Sequence, residues 1–239
     1  MRCFEIDYGV SEIYLKMEMI MLQDGDKGVI IQRDKKTYAV APHIPCGVVS
    51  PATLRLLADV AEKYKVAALK VTSAERIAIV GIQEEDVDKI WQDLKMTAGA
   101  ATGLCIRSVK ACPGTTFCKR ALQDSLGVGM KLDGKYHGYQ LPGKFKIGVS
   151  GCPNQCAETC IKDLGLVGMH KGWRVLVGGN GGAVPRLSQE LIKDLTTEQA
   201  LDIVHRVIEF FKSHGRPHQR MGMVIEKMGL EEFKKAILP

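Results

Sequence analysis

Cys112-Pro-Gly-Thr-Thr-Phe-Cys118 is followed, 33 residues on, by Cys152-Pro-Asn-Gln-Cys156. Four thiols in two short clips, each beside a proline or glycine turn, can close around one inorganic centre. A fold that uses them must bring two distant loops together. The loops carry small residues (Gly114, Thr115, Thr116, Asn154) that let a bulky group approach the backbone. Gaps of five and three residues suit an iron–sulfur cluster held by four thiolates. A zinc site more often shows two C-x2-C clips.

At 239 residues the chain can bury a good core, as one domain or two small ones. Hydrophobic content of 46% and charged content of 25% are those of an ordinary globular protein. No apolar stretch nears the roughly 18 residues needed to span a bilayer, and the N-terminus has no signal-peptide core. Eight cysteines without such a signal argue against a secreted disulfide scaffold and for a reducing cytoplasm. The formal charge of +6, by itself, reads as a solvated basic surface. Without a long basic run or an RNA-binding motif, nothing points to nucleic acid.

The pattern along the chain predicts an α+β fold. Residues 1–41 read as an N-terminal extension with a hairpin, 28–33 and 37–41 being β-rich around Asp34-Lys35-Lys36. Ser50-Pro51 starts a helix that ends near Lys65, with Leu54, Leu57, Ala58 and Ala61 on its apolar face. Residues 66–72 and 77–81 read as strands, and 84–96 as a helix with Val87, Ile90, Trp91 and Leu94 on one side. Helix–strand–strand–helix is the centre of a ferredoxin-like unit, over 42–100. From 101 to 239 a small mixed sheet is expected, with strands at 104–109, 144–150, 164–169 and 174–177. The first two deliver Cys112 and Cys152. The tail is helical: Thr196 and Gln199 have capping-box spacing, Leu201, Val204, Ile208 and Phe211 form a stripe, and 221–228 and 230–237 are short helices.

The cysteine pattern, with Gly151-Cys-Pro-Asn154 in the second clip, resembles the sulfite and nitrite reductases. So do Leu141-Pro-Gly-Lys-Phe-Lys146, residues 72–82, Gly47-Val-Val-Ser-Pro51 and the glycine-rich 177–182. The resemblance covers roughly residues 40–186 and implies a sirohaem and 4Fe–4S enzyme reducing sulfite to sulfide, or nitrite to ammonia, with six electrons. It makes Cys112, Cys118, Cys152 and Cys156 the cluster ligands, with Cys156 shared with the sirohaem iron. The best-known members carry two related halves; this chain carries one. That leaves open a second copy or partner subunit, or a non-catalytic iron–sulfur electron-transfer subunit of a larger reductase. No flavin or nicotinamide motif is visible, so electrons are expected from an external donor such as a ferredoxin.

The same resemblance gives the basic charge a use, because sirohaem is a polycarboxylate and the substrates are anions. Lys144 and Lys146 alternate along a strand, which puts both ammonium groups on one face. In the family, such lysines bind the anion and supply protons. Arg107 matches an arginine facing the sirohaem, its planar fork suited to an oxyanion or propionate. Thr115, Thr116, Asn154 and Gln155 are expected against the cofactor, and Arg186 is a candidate carboxylate partner. Family members have Thr-x-Arg-Gln where this chain has Thr72-Ser-Ala-Glu-Arg76. Either Arg76 serves from two residues later, or the pocket is altered, or Arg76 lies on the surface. Cys160 is expected to pack one helical turn beyond Cys156; Cys3, Cys46 and Cys105 read as structural.

Overall fold

Two sheets, one wholly antiparallel and one mixed, organise residues 22–238, which the computed structural model describes. Cys3 and residues 1–21 of the expected extension lie outside them. In the first sheet, β1 (Val29–Ile31) and β2 (Tyr38–Val40) form the expected hairpin. Asp34 closes its turn by accepting the N–H groups of Lys36 and Thr37 at 3.0 and 2.9 Å. β3 (Ala68–Val71) and β4 (Ile77–Ile82) follow, in the order β1-β2-β4-β3. The hairpin is therefore built into this sheet, since β2 pairs directly with β4.

Helix α1 (Pro51–Lys63) starts where Ser50 caps it, the hydroxyl accepting the Thr53 N–H at 3.0 Å. With α2 (Val87–Leu94) it closes one face of the sheet over Tyr38, Val40, Leu57, Ile79, Ile90 and Leu94. The apolar stripe of α1 differs from expectation. Leu57 and Val60 are buried, but Leu54 is 47% exposed.

The second sheet has the order β5-β6-β7-β8-β9. Strands β5 (Ile106–Ala111), β6 (Phe145–Ser150) and β7 (Leu164–Met169) run parallel. β8 (Gly172–Val177) and β9 (Gln189–Leu195) return antiparallel. A one-turn helix α3 (Gly114–Phe117) and then α4 (Ser125–Tyr136) make the β5-to-β6 crossover that parallel strands require. α5 (Thr197–His214) carries the expected capping box at Thr196 and Gln199. α6 (Met221–Met228) and α7 (Leu230–Ile237) follow the expected limits. The core joins Phe145, Ile147 and Val149 of β6 to Leu132 of α4 and Val204, Val207 and Phe211 of α5.

The two units meet at a polar seam. His43 Nε2 lies 2.8 Å from the buried Asp133 carboxylate of α4, and its ring stacks on His137 at 3.5 Å between centroids. His137 Nε2 accepts the Ala100 N–H at 3.1 Å, which fixes the ring as the neutral tautomer. Burial and the neighbouring His43 push the His137 pKa down to about 4.

Candidate metal centre and anion cleft

Parallel pairing brings the two clips together. In the β5–β6 register Ala111 faces Val149, so Cys112, one residue beyond β5, and Cys152, two beyond β6, leave the sheet at the same end. The C-terminal ends of parallel strands are where such sheets bind ligands. The loops are pinned to each other. Cys112 N–H donates to Val149 O at 3.0 Å, and Gly151 O accepts from Leu122 and Gln123 at 2.7 and 3.0 Å. Cys112 Sγ accepts the Gly151 N–H at 3.1 Å and lies 3.1 Å from the buried Ser125 hydroxyl.

The donor set fits an iron–sulfur cluster. Cys112, Cys118, Cys152 and Cys156 are all free thiols, and the Gly151 N–H already donates to the Cys112 sulfur, the kind of backbone contact a cluster thiolate accepts. Cys152 is buried whereas Cys156 is exposed. Among the described residues, no three His, Cys, Asp or Glu side chains converge on a single metal ion. A four-iron cube is held differently, each thiolate going to its own iron.

Around Cys156 the same loop folds back over the sheet. Gln155 (φ 51°) and Glu158 (φ 57°) both adopt the left-handed conformation that non-glycine residues seldom take. These two reversals carry the chain into a 3-10 turn, Thr159–Ile161. That turn rests on a floor of paired glycines, Gly148 of β6 opposite Gly165 of β7. A Cβ at Gly148 would come within 2.9 Å of Ala157 O, and one at Gly165 within 2.7 Å of Thr159 O. Only glycine lets the loop lie this close.

The folded-back loop forms one wall of a cleft. Glu158, Ile161 and Lys162 line it from the loop, Arg107, Ser108 and Lys110 from β5, and Lys144 and Lys146 from the start of β6. Asn180, Gly181 and Gly182 close a third side, Ser73 and Ala74 reach in from the β3–β4 turn, and Arg220 comes from the tail. Six cationic side chains thus face a single carboxylate. That carboxylate, Glu158, bridges Lys162 Nζ at 2.8 Å and Lys110 Nζ at 3.3 Å. Six cations against one carboxylate leave the cleft with a net positive charge, and that chemistry fits a polycarboxylate cofactor and a small oxyanion. Burial, with Lys162 and Arg220 nearby, lowers the Lys146 pKa, which makes its ammonium a readier proton donor.

The structure gathers Arg107, Lys144 and Lys146 into this cleft, and sets Thr115, Thr116 and Asn154 exposed in the clip loops. Gln155 turns to its own loop, its carbonyl accepting the Thr159 hydroxyl at 2.7 Å. Arg76 does not line the cleft. It is buried at the seam, its guanidinium donating to Arg107 O and, at 3.2 Å, to Ala100 O. Arg186 is held by Glu226 in a bidentate pair, at 2.5 and 3.0 Å, and is also absent from the lining. Cys46 and Cys105 are buried; burial and the nearby Asp133 and Glu75 push the Cys46 thiol up to about 12, so it is an inert apolar side chain. Cys160 lies in the 3-10 turn, half-buried.

Sequence reasoning missed Lys110, Lys162 and Arg220. Lys110 was within reach, since Ser108 and Lys110 alternate on β5 as Lys144 and Lys146 do at β6. Arg220 had no local signal: only the folded tail brings it to the cleft.

Residues 102–239 match the family described as "Nitrite and sulphite reductase 4Fe-4S domain", and residues 30–97 the "Nitrite/Sulfite reductase ferredoxin-like half domain". The chain is 42% identical over 217 residues to an assimilatory-type sulfite reductase of Nitratidesulfovibrio vulgaris, covering 91% of this chain and 100% of that protein. It is 39% identical to the Bacillus subtilis nitrite reductase [NAD(P)H], over 87% of this chain but only 26% of that protein. Among solved structures, the Mycobacterium tuberculosis NirA protein shares the fold with a TM-score of 0.78 at 19% identity, over 95% of this chain and 48% of that one. Dissimilatory sulfite reductase I shares it with a TM-score of 0.75 at 15% identity, over 84% and 69%.

Proposed function

The chain belongs to the nitrite and sulfite reductase family and is an oxidoreductase, and from that premise we propose that it reduces sulfite to sulfide. The carrying observation is one loop that starts as a thiol clip at Cys152 and Cys156 and continues, at Glu158 and Lys162, as the wall of a cation-lined cleft. In this reading Cys112, Cys118, Cys152 and Cys156 hold the 4Fe–4S cluster. Arg107, Lys110 and Lys162 would hold the carboxylates of sirohaem, and Cys156 would serve both the cluster and the sirohaem. When bound, these groups would relay the donor's electrons and supply the redox iron at which the anion is reduced.

The chain's own residues do the rest. Lys144, Lys146 and Arg107 neutralise the anion, which carries its charge on oxygens that a low-dielectric cleft would otherwise exclude. Each oxygen lost from sulfite leaves as water and takes up two protons. Lys146, with its lowered pKa, is the donor nearest in acidity to what that step needs. The electrons come from a separate donor such as a ferredoxin.

The full-length match to a sulfite reductase favours sulfite over nitrite. Reduction of each anion by dye-reduced enzyme tests the choice. Sulfide formed with a kcat/KM above that for nitrite is expected; ammonia from nitrite at the higher kcat/KM would give the substrate to nitrite. Absence of turnover with either anion, in protein holding both cofactors, would make the chain an electron-transfer subunit.

A further inference from the structure

Asp163 at the edge of β7 is fully buried, and burial raises its carboxyl pKa against the pull of its neighbours. Those neighbours are specific. Arg220 Nε donates to Asp163 Oδ1 at 3.0 Å and Nη2 to Oδ2 at 2.7 Å, a bidentate pair. The Lys146 backbone N–H donates to the same Oδ2 at 2.9 Å. Arg220 Nη1 donates to Asn180 Oδ1 at 2.7 Å, and Asn180 is itself held by Val184 O at 2.9 Å.

Among the described residues these bonds take three of the five guanidinium N–H groups. The other two belong to Nη1 and Nη2 of a side chain that lines the cleft beside Lys144 and Lys146. A surface arginine samples many rotamers; this one is 13% exposed and fixed at three nitrogens before any ligand arrives. Preorganisation of this kind is what turns a cation into a directional oxyanion receptor. Asp163 also ties it to β6, so one carboxylate sets both the arginine and the strand that presents Lys146.

We propose that Arg220 binds an oxyanion in the cleft, and that Asp163 and Asn180 are positioning residues that aim it. This rests on the reductase reading above. The oxyanion is either the inorganic substrate or a carboxylate of the tetrapyrrole, and the two sources separate by experiment.

Arg220→Lys keeps the charge and removes the fork; Arg220→Gln removes both. Each variant is purified from cells supplied with the tetrapyrrole. Its cofactor content is read from the absorption bands, and sulfite affinity from the band shift on titrating the oxidised protein. If the substrate is the ligand, cofactor content stays at the wild-type level. Sulfite Kd then rises about tenfold or more in Arg220→Lys and further in Arg220→Gln, as loss of a charge-assisted bond predicts. If a cofactor carboxylate is the ligand, tetrapyrrole content falls instead, while iron and acid-labile sulfide of the cluster persist. Asp163→Asn is expected to reproduce the Arg220→Lys change, and Asn180→Ala, which leaves the Arg220–Asp163 ion pair in place, to move the same readout in the same direction by less. Wild-type content and wild-type Kd in both Arg220 variants would overturn the inference. Wild-type protein without tetrapyrrole bands would overturn the reading beneath it and the inference together.

Discussion

At the scale of the residue, the proposed proton donor Lys146 is set by its surroundings. Its ammonium is held in a half-buried site among Lys162 and Arg220, and both the burial and the like charges push its pKa below the ordinary lysine value. A proton donor must be charged to act, so turnover should fall on the alkaline side at a pH below that of a free lysine. Lys162→Gln removes one like charge, raises the Lys146 pKa and should move that limb to higher pH; a limb that does not move would detach it from Lys146. Lys146→Ala is expected to lower kcat by about two orders of magnitude, the usual worth of a positioned general acid, with the cofactor spectrum intact. Lys146 was legible in the sequence because alternation on a strand needs only two residues and the rule of two. Arg220 was not, since its partner Asp163 lies 57 residues away and no local pattern links them. Arg76 shows the reverse: the right type of residue at nearly the right position, taken up by backbone carbonyls at the seam.

At the scale of the element, the site depends on how closely one loop can approach one sheet. Gly148 and Gly165 are paired across β6 and β7, and both face Ala157–Thr159 backbone at distances a methyl group would violate. Gly148→Ala is therefore expected to destabilise the protein by about 1–3 kcal/mol, the cost of overpacking, read from the urea midpoint. It should also displace Glu158 and Lys162, so that cofactor content drops by more than stability alone would cause; full content in a stable variant would contradict the glycine floor. Strands β5 to β8 and the tail helices were readable because each repeats a period over six or more residues. Helix α4 was not, its three glycines (Gly127, Gly129, Gly134) masking the apolar stripe Val128, Leu132 and Tyr136. Strand β9 escaped because it is a mostly exposed edge whose ladder with β8 shifts register twice, which breaks the alternation.

At the scale of the whole molecule, the two units are joined through His43, Asp133, His137 and Arg76, and this seam makes stability depend on pH. The His137 pKa is about 4 in the fold against the ordinary 6.5, so the unfolded chain binds the extra proton first. The stabilisation is complete above about pH 6.5 and is lost as pH falls toward 4. The urea midpoint should decline over that window, and His137→Gln should flatten the decline; equal slopes in both proteins would remove His137 from the linkage. The parallel β5–β6 pair then sets the thiol clips at one end of the mixed sheet and the lysines at the other end of β6, with the cleft along the strands between. Among the described residues no helix is long and apolar enough to cross a membrane. The most direct test is an anaerobic absorption spectrum of the purified protein with its iron and acid-labile sulfide content, repeated for Cys156→Ser. The account predicts tetrapyrrole bands with about four cluster irons and one further iron per chain, and loss of the coupled spectrum in the variant. A cluster shoulder without tetrapyrrole bands, or a Cys156→Ser protein with unchanged spectrum and turnover, would contradict it.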